Sequence, residues 1–318
     1  MNRLPHLLSC LLALIGTTAA VEAKGLTDPA LRERQRVLVE SAVAGLAPQR
    51  PGIPDLYVVG VGGDSTEDVF RNEAVYLDTL MSQRFGARGR VLTLINHSDS
   101  LIRTPRPLAT LENLRAALAG VGKAMDRDQD VLLLFMTMHG TPQHQLFVQM
   151  APVYFDLIDP KELRAALDDA GIRNRVLVIS ACYSGGFVPA LKSDDTLILT
   201  AAHRNRPSFG CGADSDATYF GRAWLIEALN ETTDFVAAFE TAKARIAERE
   251  DADGFRPSRP QIEIGKQILP RLQAWQSQLV PGPKVAFTAP SPAPAQNTAG
   301  NVGKASKLKE EKKSQSKK

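Results

Sequence analysis

Two residues of this sequence, His139 and Cys182, have the types and positions for covalent chemistry. A thiol attacks as its thiolate, so it needs a base or an imidazolium close by. Histidine supplies either, because its ordinary pKa lies near neutral pH. His139 stands in Met138-His139-Gly140-Thr141, and Cys182 in Ser180-Ala181-Cys182-Tyr183-Ser184-Gly185-Gly186. Glycine lets a backbone approach a substrate, so the N–H groups of Gly140 and Cys182 are candidates for an oxyanion hole. A lone cysteine at a strand end is usually a small buried hydrophobe, and a lone histidine beside glycine a turn residue. The pair, each followed by a glycine-bearing loop, is far more specific.

The remaining candidates are weaker. His144 lies in a polar loop and reads as solvent-facing. His97 follows the second strand, at the same end of the sheet. His203 falls in the loop after the fifth strand, as a possible pocket residue. Ser184 lacks the glycine pattern of a hydrolase elbow. Cys211, in Phe209-Gly210-Cys211-Gly212, is either a free thiol or a partner for a regulatory Cys182–Cys211 bridge.

The elements that must hold the pair follow from pattern. Residues 25–50 read as a helix, ended by Pro51 and Pro54. Short apolar runs at 56–61, 90–95, 130–138, 175–181 and 196–201 read as strands. Helical periodicity covers 67–85, 108–125, 160–170, 218–229 and 234–249. Residues 261–264 read as an edge strand. The 130–138 run, Val131-Leu132-Leu133-Leu134-Phe135-Met136 at its centre, is apolar without alternation, which means burial on both faces. Strand–helix alternation of this kind predicts a three-layer α/β/α fold on a mainly parallel sheet of about six strands. Ligands then bind beyond the carboxyl ends of the strands, where His139 and Cys182 fall.

The chain has 318 residues, 44% of them hydrophobic, with a formal net charge of +3. Seven lysines against two glutamates crowd residues 301–318, so the body is near neutral. That distribution offers no basic face for a nucleic acid. Residues 1–23 read as a signal peptide, with Arg3, the apolar run Leu7 to Ile15 and a cut after Ala23. The expected location is therefore periplasmic or secreted, with a lipid anchor at Cys10 less favoured. No later run approaches the ~18 apolar residues of a membrane span. Residues 24–54 form an N-terminal helical segment, 55–280 the main domain, and 281–318 a disordered Pro/Ala-rich then Lys-rich tail. No HExxH motif, CxxC pair or phosphate-binding loop occurs, which argues against metal and nucleotide cofactors.

Four segments carry a family likeness: Phe70-Arg71-Asn72, Met138-His139-Gly140, Ser180 to Gly185, and Leu199 to Ala202 continuing to Thr218-Tyr219-Phe220-Gly221. Together they resemble the legumain-like asparaginyl endopeptidases within the caspase-like cysteine peptidases. The resemblance implies that Cys182 attacks a peptide carbonyl, His139 handles protons and Gly140 helps bind the oxyanion. It also implies a peptide or protein substrate, a caspase-like sheet, and neither metal nor organic cofactor. The oligomeric state leaves no mark in the sequence. Arg71 matches the family's pocket arginine, although a salt bridge to Glu67 or Asp68 is the plainer reading. Ser180 and Arg222 stand where legumains carry pocket carboxylates. Without those counter-charges, Arg71 and Arg222 predict a preference for acidic or neutral polar side chains, unless Asp214, Asp216 or Glu73 restores the balance.

Two alternatives accompany hydrolysis. A transpeptidase or transamidase would use the same dyad, with an amine resolving the thioester. A non-enzymatic binding protein on the same scaffold would explain the altered pocket, but has no need of both His139-Gly140 and Ala181-Cys182. An adaptor acting through the Pro-rich and Lys-rich tail is a third, weaker class.

Overall fold

The computed structural model describes residues 25–290 apart from Ala213. The expected signal peptide, Cys10 and the Lys-rich end lie outside the described residues. In chain order the elements are α1 (Pro29–Ala44), β1 (Leu56–Gly62), α2 (Asp68–Arg84), β2 (Val91–Ile95), α3 (Ser98–Ile102), α4 (Leu111–Ala124) and β3 (Val131–Thr137). Then come β4 (Leu146–Met150), β5 (Tyr154–Ile158), α5 (Pro160–Asp169), β6 (Arg175–Ser180), α6 (Val188–Leu191) and β7 (Thr196–Thr200). A π-type helix (Gly221–Ala228) runs into α7 (Leu229–Glu231), and α8 (Phe235–Ala252), β8 (Gln261–Ile264) and α9 (Ile268–Gln278) follow.

Among the described residues one sheet has six strands in the order β2-β1-β3-β6-β7-β8, and all its pairings are parallel except that of β8 with β7. Alternate strand residues feed two cores. Tyr57, Val59, Leu132, Leu134, Leu177 and Ile179 face a layer built on α1, α4 and α5. Val58, Leu133, Phe135, Val176 and Val178 face α2, the π-type helix, α8 and α9. The sheet is thus covered on both sides, which is why its central strands are apolar throughout. This is the three-layer, caspase-like arrangement that the sequence predicts.

Local signals set the helix ends. Asp159 caps α5 in a full capping box with Glu162, with Pro160 in the first turn, and Gly171 follows at φ +68°. Asp28 caps α1 by accepting the Ala30 N–H, with Pro29 next. At the amino ends of β1 and β3 the carboxylate of Asp130 accepts the N–H groups of Asp55 and Asp126, each at 2.7 Å.

The β4–β5 antiparallel hairpin, α9 and the short α3 and α6 have no counterpart among the elements expected from sequence. The tail predicted to begin at residue 281 does not leave the body there. The backbone of Val285 exchanges hydrogen bonds with the Asn230 side chain and accepts the Tyr76 hydroxyl at 2.7 Å. Phe287 packs edge-on against Tyr76, with centroids 5.2 Å apart. Two apolar side chains and a satisfied backbone offset the ordering entropy that composition alone charges to this stretch.

Candidate active site

The two central strands bring His139 and Cys182 to one end of the sheet. Thr137 and Ser180, the last residues of β3 and β6, are register partners, and each candidate lies two residues beyond its strand. The Met138 N–H donates to the Ser180 carbonyl at 3.3 Å, extending the ladder past the pair. Beyond it the two backbones touch: a Cβ on residue 140 would lie 2.2 Å from the Cys182 carbonyl oxygen. Only glycine fits there.

Cys182 is half-buried, and its sulfur is held by the loop after β7. The Ser208 N–H donates to Sγ at 3.3 Å, and the Ser208 hydroxyl lies 3.7 Å away. The thiol in turn lies 3.5 Å from the Ser208 carbonyl oxygen. The next residue, Tyr183, sits in the left-handed region at φ 57° and donates its N–H to the Arg206 carbonyl at 2.8 Å. That kink turns the chain from strand to helix at the cysteine.

His139 is half-buried, and the ring of Phe70 on α2 meets its ring edge-on. Among the described residues no side chain hydrogen-bonds the imidazole, so the site is a pair without a third member. The backbone around it is anchored to β4: Phe147 donates to the His139 carbonyl at 3.0 Å, and Thr141 to Gln145 at 2.9 Å. This bridge runs through the neighbours of Gly140 and leaves its N–H outside the ladder. Among the described residues no acceptor takes the N–H of Gly140 or of Cys182. Two free donors beside a thiol and an imidazole are what acyl transfer requires of a backbone.

The sequence from 108 to 271 matches the peptidase C13 family, a stretch that spans just over half of the chain. The chain belongs to the peptidase C13, or legumain, family. The matched residues include His139, Gly140, Ser180, Cys182 and Arg222, whereas Arg71 lies before them. The legumain likeness of the motifs therefore stands, and with it membership of a cysteine peptidase family. No curated protein matches the chain significantly.

The pocket positions of this family member differ from their expected charge. Arg71 is only 3% exposed and pairs with both Asp68 at 2.9 Å and Asp99 at 2.8 Å. The carbonyl of Pro290 lies 3.5 Å from the same guanidinium. Arg222 pairs with Asp216 and lies over the Phe287 ring, 5.8 Å from its centroid. Neither arginine lacks a counter-charge: Asp216 restores the balance at Arg222, the exception allowed for above, and Asp68 is one of the two carboxylates on Arg71. The carboxylates that legumains carry in this pocket are replaced by Asp99 from α3 and Asp216 from the preceding turn. Ser180 is buried, with its hydroxyl 3.2 Å from that of Thr218.

The other candidates fall out as follows. His97 is buried, accepts the Asp99 N–H on Nδ1 at 3.1 Å and lies 3.0 Å from Asp68 through Nε2. It braces the carboxylates that hold Arg71. His144 is partly exposed, as its polar loop predicts, with its ring over Gly186 and its Nε2 3.0 Å from the Arg204 carbonyl. It joins the loops after β3, β6 and β7. His203 accepts the Asn205 N–H within its own turn. The buried Ser184 hydroxyl accepts the Ala202 N–H at 3.1 Å, a structural bond. Cys182 and Cys211 are both unpaired. Burial pushes the Cys211 thiol up to about 11, and the proximity of Cys182 adds to the shift. Ser208 had no signal in the sequence, because its contact depends on how a loop folds back.

Proposed function

We propose that the chain is a cysteine endopeptidase in which Cys182 forms a thioester with the acyl part of a peptide bond. The supporting observation is the common end point of β3 and β6, which sets His139 and Cys182 two residues beyond partnered strand ends. In the first step the Cys182 thiolate attacks the carbonyl carbon. The oxyanion is met by the N–H groups of Gly140 and Cys182, which have no other acceptor among the described residues. The His139 imidazolium gives its proton to the leaving amine as the C–N bond breaks. Water then attacks the thioester as His139 takes its proton, and the C–S bond breaks to release the carboxylic acid and restore the thiolate and imidazolium of the first step. The substrate is a peptide or protein. We further propose export through residues 1–23, supported by their n-region, apolar run and small residues near the cut.

The test is labelling of purified mature protein by acyloxymethyl-ketone probes with different residues before the warhead. Labelling lost in both Cys182→Ala and His139→Ala, with thermal unfolding unchanged, is the expected result. Labelling that survives His139→Ala, or that falls on Cys211, overturns the assignment.

A further inference from the structure

Glu73 takes no part in the chemistry described above, yet it is fully buried beneath both strand ends. It lies on α2 three residues after Phe70, on the same helical face. One carboxylate oxygen accepts the Thr137 hydroxyl at 2.7 Å, and the other accepts the Thr218 N–H at 2.7 Å. Thr218 continues the chain: its Oγ1 accepts the Gly221 N–H at 2.9 Å and faces the Ser180 hydroxyl at 3.2 Å. Because Thr137 and Ser180 are register partners, these contacts close into a ring running Thr137, Glu73, Thr218, Ser180 and back through the sheet. His139 and Cys182 project from two members of that ring. The π-type helix comes this close only because residue 221 is glycine, since a Cβ there would lie 2.1 Å from Glu73 Oε1.

A buried carboxylate is an expensive way to gain stability, and a well-packed apolar residue would serve folding as well or better. Its two bonds do something an apolar side chain does not: one fixes the end of β3 at Thr137 in direction as well as position, and the other fixes Thr218, whose hydroxyl faces the end of β6 at Ser180. We propose that Glu73 is a positioning residue that sets the relation of the His139 imidazole to the Cys182 thiol by tying Thr137 and Thr218 to one rigid helix. The inference rests on the dyad assignment, and burial, which holds this carboxyl above the ordinary range, agrees with a group locked in place.

The test reads the dyad without any substrate. The rate of Cys182 alkylation by iodoacetamide is followed against pH by peptide mass spectrometry in full-length wild type, Glu73→Leu, Glu73→Gln and His139→Ala. In Glu73→Leu the rate near neutral pH should fall about tenfold, with its inflection moved to higher pH, as expected when a reacting pair drifts by a fraction of an ångström. Glu73→Gln should recover to within about threefold, since its amide accepts from Thr218 and donates to Thr137. A folded Glu73→Leu with the wild-type inflection overturns the proposal while His139→Ala still shifts the profile. If His139→Ala shifts nothing, the dyad itself fails and Glu73 has nothing to position. Should Glu73→Leu not fold, Thr137→Val removes a single bond from the ring. It should move the inflection the same way, and an unmoved one overturns the proposal.

Discussion

The ring of Phe70 meets that of His139 edge to face, with centroids 5.0 Å apart and planes at 84°. An imidazole without a hydrogen-bonded partner among the described residues takes its orientation from this contact and from its own backbone. Such contacts contribute about 0.5–1.5 kcal/mol beyond the area they bury. Phe70→Leu should therefore lower kcat about two- to tenfold and leave KM nearly unchanged, which steady-state kinetics on any cleaved peptide would show. A raised KM with constant kcat would mean that Phe70 serves binding instead.

Gly140 offers a sharper perturbation. A methyl group there would press on the Cys182 carbonyl, and both loops would have to part. Gly140→Ala should lose at least about a hundredfold in kcat/KM. The melting temperature should fall as well, because the contact joins the two central strands.

The two cysteines are separable by pH. The Cys211 thiol, pushed up to about 11 by burial with help from Cys182, remains protonated near neutral pH. A mild alkylating agent near pH 8 should modify Cys182 and spare Cys211 by at least about tenfold, since the thiolate is the reacting form. Equal modification of both would show that the loop bearing Cys211 opens in solution.

At the opposite end of the sheet, Asp130 predicts a pH dependence of stability. Burial, with Asp55 and Asp126 nearby, raises its carboxyl to about 6, against two backbone N–H groups that pull it down. The folded state thus holds this proton more tightly than the unfolded chain. The stabilisation is complete below the ordinary carboxylate value and is lost as pH rises through about 6. Urea unfolding of Asp130→Asn should start from lower stability, because its amide nitrogen meets an N–H donor. It should also lack that part of the decline between about pH 4 and 6.

The end of the body is a separate question. Deletion after Pro290 should leave unfolding unchanged, whereas deletion after Pro281 strips Val285 and Phe287 from the surface. Phe287→Ala alone should cost about 1–2 kcal/mol, read from the urea midpoint. No change would mean that the segment is not seated in solution.

Much of this architecture is written in short-range pattern. The unbroken apolar runs of β3 and β6 could only be central parallel strands, and their ends located His139 and Cys182 to the residue. The hairpin was legible too, in the alternation of Leu146, Val148 and Met150 and of Tyr154, Asp156 and Ile158, but its strands looked like a polar loop between stronger signals. α9 carries Ile268, Leu272 and Trp275 at helical spacing. What pattern could not reach were relations made in space alone. Ser208 lies 26 residues from the sulfur it contacts, Asp99 lies 28 from Arg71, and Thr218 lies 145 from Glu73.

The adjacency of β3 and β6 in the sheet, with a hairpin and α5 spliced between them, has a consequence for the life of the chain before it is finished. The thiol and the imidazole share no local segment, so neither a nascent fragment nor a partly collapsed one holds them together. They meet only after a long loop closes and the central strands pair, events that are late in parallel sheets. If the proposed dyad carries the activity, a chain whose central strands have not yet paired would lack it, and reactivity at Cys182 would appear only with the finished sheet.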